Sequence, residues 1–176
     1  MDRAIALRMI EDVLPQTPQI WADLGAGTGL FTEVLRDHLP PGSVVHALDK
    51  SPHMLWRLPQ RSEVPVHIHD EDFTRVMALP RCDGLLMANA LHYVADPEPV
   101  LRQILTHLKP GGTLVMIEYE VNQAVGPYIP YPLPLARLVE LARVLGLTKP
   151  AVMQRVPSRF GHEHIYAARC EWRVGS

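Results

Sequence analysis

The residues best suited to chemistry form a tight run, Asp23-Leu24-Gly25-Ala26-Gly27-Thr28-Gly29, an acid followed by three alternating glycines. Glycines in such a turn accept positive φ angles and let a ligand approach the main chain with no side chain between. Where the turn opens a helix, the first amides of that helix offer donors to a carboxylate or phosphate. Asp49 closes the next apolar run. An acid there faces the glycine loop across the carboxyl edge of a parallel sheet and can accept hydrogen bonds from ribose hydroxyls. Spacing separates two nucleotide chemistries. The dinucleotide fingerprint GxGxxG needs glycine at position 30, where this chain has Leu30, so the pattern is GxGxG. Asp23 would also repel a pyrophosphate and attract an ammonium such as that of an amino-acid moiety.

Further candidates lie at the ends of later apolar runs. Asp70-Glu71-Asp72-Phe73 combines acids with an aromatic ring, and His92-Tyr93 follows the run that ends at Asn89. A histidine facing a cleft can serve as a general base on a hydroxyl or amine, because its unperturbed pKa lies near neutrality. Contact with an acceptor, or mere lining of the pocket, are the competing readings of His92. Glu118 and Glu120 share a strand face, where one could attract an amine, with a plain strand-edge carboxylate the alternative. His67 and His69 alternate on one strand, as do His162 and His164. A metal site needs further ligands than two residues on one face; none can be named, so the histidines are expected at the surface and no metal is expected.

The elements that must position these residues are legible from periodicity and punctuation. Residues 5–14 have helical spacing and end at Pro15 and Pro18, and residues 30–39 and 97–108 are helices stopped by Pro-Gly runs. Residues 19–24, 43–48, 64–68, 83–88 and 113–119 are short, nearly continuous apolar runs, which predicts buried parallel strands with helices on both faces. Ser51 and Pro52 suit the start of a short helix. A helix over 135–145 has Gly146 at its C-cap. Residues 151–156 and 163–172 are strands joined by a connection too short for a parallel crossover, hence an antiparallel pair. The predicted fold class is α/β: a doubly wound, Rossmann-like sheet of seven strands, mostly parallel with an antiparallel C-terminal hairpin. One domain over 1–176 is expected, with an N-terminal helix within 1–14 and an acceptor-facing lid over 120–134 that carries Tyr128 and Tyr131 among prolines, which lower the entropy of ordering a lid.

The chain has 176 residues, 47% hydrophobic and 20% charged, with a formal net charge of -2. That balance argues against nucleic acid as a partner, since phosphate backbones call for a strongly basic face. Cys82 and Cys170 stand far apart with no CxxC spacing, which points to a reducing cytoplasm. No apolar run approaches the ~20 residues of a membrane span.

With these residues in view, the sequence resembles the class I S-adenosylmethionine-dependent methyltransferases from about Ile20 to Ala168. Asp23 to Gly29 is similar to the family's first motif, and Val45-His46-Ala47-Leu48-Asp49-Lys50-Ser51 to its second. Asp70 to Phe73 with Leu79-Pro80 is similar to its adenine-side loop. Residues 82–94 are similar to its fourth strand and active-site turn, and Leu108-Lys109-Pro110-Gly111-Gly112-Thr113-Leu114 to its turn into strand five. The resemblance implies S-adenosyl-L-methionine as cofactor and S-adenosyl-L-homocysteine as product, by in-line methyl transfer. Gly25, Gly27 and Gly29, with Ala26, would line the methionine end and Asp23 its ammonium. Asp49, beside Lys50, would hold the ribose hydroxyls and Asp72 the adenine amino group. Met54 and Phe73 would pack the adenine ring, and Asn89 would contribute backbone below the sulfonium. The acceptor, expected to be a small molecule, would meet Tyr93, Tyr128 and Tyr131. The short span after Asp72 suggests an open acceptor site or one completed by a second subunit, a homodimer. Two other readings stay open here: a non-catalytic protein of the same fold, binding cofactor or partner, and an NAD-dependent oxidoreductase, which Leu30 and the terminal hairpin oppose.

Overall fold

The computed structural model describes residues 1–59, 63–158 and 164–173. Helix α1 (Arg3–Ile10) is capped by the Asp2 side chain, which accepts from the Ile5 amide at 2.9 Å. A 3-10 turn over Glu11–Val13 then unwinds the chain ahead of the prolines, so the regular helix is shorter than its apolar spacing suggests. Strand β1 (Ile20–Leu24), helix α2 (Leu30–His38), strands β2 (Val44–Asp49), β3 (Val66–Asp70) and β4 (Cys82–Ala88), helix α3 (Pro97–Leu105), strand β5 (Leu108–Tyr119), helix α4 (Leu135–Val144) and strands β6 (Ala151–Pro157) and β7 (His164–Glu171) complete the order.

The seven strands form one sheet in the order β3-β2-β1-β4-β5-β7-β6. The first five pair in parallel, and β7 runs antiparallel to both β5 and β6. This is the Rossmann-like sheet with an antiparallel terminal pair that the sequence predicts. Alternate residues of each strand serve opposite cores. Trp21, Val45, Ala47, Leu86, Val115 and Ile117 pack under α1 and α2. Ala22, Leu24, Leu48, Leu85, Met87, Leu114 and Met116 pack with α3 and α4. Gly84 makes room for the buried indole of Trp21, because a Cβ there would stand 2.4 Å from the ring.

Several local expectations are corrected. The helix expected after Ser51 is only a 3-10 turn over Leu55–Arg57. Leu58 precedes Pro59, and a residue before proline is pushed out of the α region; Leu58 sits at ψ 133. Strand β3 begins two residues later than expected, at Val66. Strand β5 starts at Leu108 rather than Thr113, because Cys82 pairs with Leu108 and the Gly111 amide donates to the Trp172 carbonyl at 2.9 Å. Helix α3 stops at Leu105, ahead of that strand. Residues 159–163 of the hairpin connection, with His162 and the expected first strand residue Glu163, lie outside the described residues.

No helix forms between β3 and β4. Instead Met77 and Leu79 of this loop lie on the core. His46, His67 and His69 share the sheet face at this edge, with His46 Nδ1 2.9 Å from His69 Nε2 and the His46 and His67 rings stacked. Burial and the neighbouring imidazoles lower the His46 pKa to about 4. Among the described residues no group of three His, Cys, Asp or Glu side chains is arranged to hold a metal ion, and no helix is long and apolar enough to cross a membrane.

Candidate active site

At the carboxyl ends of β1, β2 and β4 the chain encloses a cavity of about 370 Å³. Its floor is the glycine loop. Gly25, Gly27 and Gly29 all have positive φ, at 76°, 55° and 85°, which side chains other than glycine adopt at a cost. Two of the three are also packed tightly. A Cβ on Gly25 would stand 2.8 Å from Ala90 Cβ, and one on Gly29 2.9 Å from Leu58. Gly25 and Gly27 line the cavity; Gly29 instead sits under the Leu55–Leu58 turn. The loop is tied to β2 by the Gly25 and Ala26 amides, both donating to the Leu48 carbonyl.

Asp49 stands at the cavity edge with its orientation fixed. Its Oδ2 accepts from the Gly27 amide at 2.7 Å and its Oδ1 from the Ser51 amide at 2.8 Å. Lys50 lies beside it, and Asp72, Phe73 and Thr74 form the opposite wall. Burial works against the charge of Asp72, but the Thr74 amide and hydroxyl, both donating to Asp72 Oδ1, lead the influences that hold the carboxyl below its ordinary range. Thr74 carries no sequence motif; its only signal is a hydroxyl two positions after an aspartate, the spacing of a turn closed by the aspartate side chain.

The fourth wall is the turn after β4, where Asn89, Ala90, Tyr93 and Val94 line the cavity. Asn89 holds φ 51°, the sole positive φ outside glycine among the described residues. Strain of this kind concentrates at functional sites. Its amide donates to the Ile117 carbonyl at 2.8 Å, while its Oδ1 is buried and has no hydrogen-bond partner among the described residues. The turn is held from below by Glu118 of β5, itself fully buried. Glu118 Oε1 accepts from the Leu91 and His92 amides at 2.9 and 3.2 Å, and Oε2 lies 2.6 Å from His92 Nδ1. Glu118 is thus committed to the turn and is not presented to a ligand. Glu120 is likewise engaged, accepting from the Leu135 amide at the start of α4 and facing Arg155 at 3.8 Å.

Several expected residues lie elsewhere. His92 is 2% exposed and does not line the cavity, because its ring is drawn inward to Glu118. Met54 is 46% exposed and outside the cavity, just ahead of the 3-10 turn over Leu55–Arg57. Ala26 packs instead against the core under α2. Tyr128 and Tyr131 are exposed and line no wall of the cavity, although the Tyr131 amide donates to the His92 carbonyl at 3.0 Å.

Asp23 also lies outside the cavity. Strand alternation places it on the α2 face, 1% exposed, with Oδ2 accepting from the Thr32 hydroxyl at 2.7 Å. Burial pushes its pKa up to about 7 against the pull of the Thr32 hydrogen bonds, and the Asp49 charge adds to the rise. The folded value lies above the ordinary 3.8. The stability linked to this group is therefore fully present below about pH 4, falls as the pH rises towards 7, and is level above that. The shift is worth at most roughly 4 kcal/mol. Asp23→Asn, which keeps an acceptor for Thr32, is expected to flatten this decline. Urea unfolding of both proteins at pH 5 and pH 8 measures it, and parallel pH dependence in the two would refute the assignment.

Known proteins share this fold. The methyltransferase-domain family model matches residues 22–114. The chain is 31% identical over 119 residues to demethylmenaquinone methyltransferase of Thermus thermophilus, covering 64% of this chain and 52% of that protein. It is 30% identical over 106 residues to carboxy-S-adenosyl-L-methionine synthase of Hydrogenovibrio crunogenus, covering 54% of this chain and 41% of that one. The chain spans about half or less of the length of these curated relatives. Among solved structures, Burkholderia thailandensis 1,6-didemethyltoxoflavin-N1-methyltransferase, bound to 1,6-didemethyltoxoflavin and S-adenosylhomocysteine, superposes with a TM-score of 0.74 at 24% identity, over 97% of this chain and 76% of that one. N-methyltransferase NodS of Bradyrhizobium japonicum, with S-adenosyl-L-homocysteine, gives 0.71 at 18% identity, over 96% and 84%.

Proposed function

This chain belongs to the class I methyltransferase-domain family, and from that premise we propose that it is an S-adenosyl-L-methionine-dependent methyltransferase acting on a small-molecule acceptor. The observation that carries the reading is the Asp49 carboxylate, locked at the cavity edge by the Gly27 and Ser51 amides. It keeps lone pairs for a ribose diol while closing the glycine loop. The cavity fits the rest of such a ligand. Its volume lies within the ~300–1,000 Å³ range of small-molecule sites. Gly27, with nothing but the Gly25 carbonyl near its missing Cβ, leaves the loop open to an amino-acid chain. Phe73 offers an apolar face for a purine, with Asp72 beside it as an acceptor for an exocyclic amine.

S-adenosyl-L-methionine supplies, when bound, a methyl group already activated on a sulfonium. The chain's own part is then alignment and exclusion of water, which supply much of the rate in reactions of this kind. The Asn89–Tyr93 turn forms the wall nearest the glycine loop, and Glu118 with His92 keeps that turn in place. In this reading His92 is a positioning residue, acting through Asn89 and Tyr93. The net charge of -2 and the presence of Asp49 and Asp72 in the cavity favour an uncharged or cationic acceptor over a polyanion. Two buried free thiols, Cys82 and Cys170, support a reducing cytoplasmic setting within the same proposal.

Calorimetric titration with S-adenosyl-L-homocysteine and with NAD tests the reading. Micromolar binding of the first and no response to the second is the expected pair of results. Absence of S-adenosyl-L-homocysteine binding at millimolar concentration would end the proposal, and binding of NAD alone would restore the oxidoreductase.

A further inference from the structure

The turn after β4 has little support of its own. It is a single 3-10 turn over Leu91–Tyr93, closed by the Tyr93 amide at 3.4 Å from the Ala90 carbonyl and the Val94 amide at 2.9 Å from that of Leu91. Beyond Glu118, a second set of bonds reaches it from residues 129–134, a strap that leads into α4. The Tyr131 amide donates to the His92 carbonyl at 3.0 Å. Arg137 donates to the carbonyls of Pro132 in the strap and Ala95 after the turn, at 3.0 and 3.4 Å. Ile129 and Leu133 of the strap are buried, whereas residues 122–128 are exposed apart from the half-buried Val125. At the far end of the strap the Leu135 amide donates to Glu120. Tyr166 of β7 ties its middle to the sheet: the residue is wholly buried, and its hydroxyl donates to the Leu133 carbonyl at 2.8 Å. Burial, then the charges of Glu118 and Glu120, push the phenol's pKa up, so it stays a donor at every working pH.

We propose that Tyr166 is a positioning residue for the cofactor cavity, acting through Leu133 and Tyr131 on the turn that carries Asn89 and Tyr93. The contacts close a circuit. His92 meets Glu118, Glu118 stands opposite Tyr166 in the β5–β7 register, Tyr166 holds Leu133, and Tyr131 returns to His92. Between Leu133 and Tyr131 lies Pro132, whose ring fixes its φ, so a carbonyl held at one point sets the amide two residues away. The hydroxyl is what the circuit needs from this position. A phenylalanine would fill the same apolar space, while a buried hydroxyl is costly unless it is bonded. Removing the oxygen leaves the Leu133 carbonyl buried and unpaired, which favours release of the strap. A segment tied to the core by few bonds opens separately from the rest of a fold, so this release is local. The proposal rests on the methyltransferase reading for the identity of the ligand, whereas the circuit of bonds stands without it.

Amide hydrogen exchange, read residue by residue by NMR on the full chain, tests the proposal. In Tyr166→Phe the Tyr131, Leu91 and His92 amides are expected to exchange about tenfold faster, the population change that one lost hydrogen bond produces. The amides of β1 and β4 are expected to exchange as before. S-adenosyl-L-homocysteine is expected to slow the Tyr131, Leu91 and His92 amides in the unmodified protein, because a ligand that prefers the held turn must in return stabilise it. Its affinity for Tyr166→Phe is expected to fall about threefold, the binding-competent fraction being smaller. Arg137→Met keeps the apolar stem of a half-buried side chain and cuts the strap from the turn by a second route. It is expected to speed the same amides about threefold, and it carries the test if Tyr166→Phe does not fold. Unchanged exchange at Leu91 and His92 in the variants, or equal acceleration of the β1 and β4 amides, would overturn the proposal. So would bound S-adenosyl-L-homocysteine that leaves these amides exchanging as in the free protein. If S-adenosyl-L-homocysteine fails to bind, the function reading falls separately, and exchange in the variants still decides whether Tyr166 holds the turn.

Discussion

Replacing Asp49 with alanine is expected to weaken S-adenosyl-L-homocysteine binding by about a hundredfold or more. Each hydrogen bond from a ligand hydroxyl to a charged acceptor contributes ~1.5–3 kcal/mol, and a ribose diol can place two on one carboxylate. Losing both removes ~3–6 kcal/mol, which is a factor of at least a hundred in affinity. The alanine variant also releases the Gly27 and Ser51 amides from their shared acceptor, so part of the loss comes from a loop no longer held in its binding shape. Asp49→Asn separates the two contributions. Its amide oxygen can still accept from one of these groups and fits the same space, so a loss of about tenfold is expected, consistent with exchanging a charged acceptor for a neutral one. Calorimetry on the three proteins gives the series directly. An alanine variant that binds as tightly as the unmodified protein would remove Asp49 from the site.

What the sequence disclosed, and what it withheld, follows from the range of the interactions. The alternation of apolar runs with helical spacing is local, and it gave the sheet, its parallel core and the antiparallel β7. Gly25, Gly27 and Asp49 were legible because a glycine turn and a strand-end acid each need a particular residue type at one place. Side-chain direction was harder. Asp23 belongs to the glycine motif by position, yet strand alternation turns it towards Thr32 and away from the cavity. His92 follows β4 as a cleft residue would, but Glu118, 26 residues later, draws it inward. No spacing rule connects those two residues; only the pairing of β4 with β5 does. Met54 illustrates a different cause. Its expected role came from the resemblance, and the segment that carries it makes only a 3-10 turn over Leu55–Arg57, with Pro59 four residues past the turn's start keeping a helix from continuing. The bond from Tyr166 to the Leu133 carbonyl was invisible for the same reason as the Glu118 contact, since it joins residues 33 apart that meet only in the folded chain.

Glu118 is where the stability of the site is most concentrated, and its removal is the second large effect to expect. The residue is fully buried and receives three contacts, from the Leu91 amide, the His92 amide and His92 Nδ1. Removing one member of a buried, hydrogen-bonded pair typically costs ~3–5 kcal/mol. For a domain of this size each kcal/mol lowers the melting temperature by about 2–4 °C, so Glu118→Ala is expected to melt about 10 °C below the unmodified protein. Glu118→Gln keeps an oxygen for the two amides and an amide group opposite His92, and it is expected to lose about 1 kcal/mol. The contrast between the two variants matters more than either alone. If the role were only to fill volume, alanine would still be harmful but glutamine would be neutral in every assay. Because the turn carries Asn89 and Tyr93 to the cavity, the glutamine variant is also expected to bind S-adenosyl-L-homocysteine several-fold less tightly at a temperature where it is fully folded, as judged by circular dichroism. An alanine variant that melts within about 2 °C of the parent, less than 1 kcal/mol for a domain of this size, would show that the turn after β4 is held by something other than Glu118.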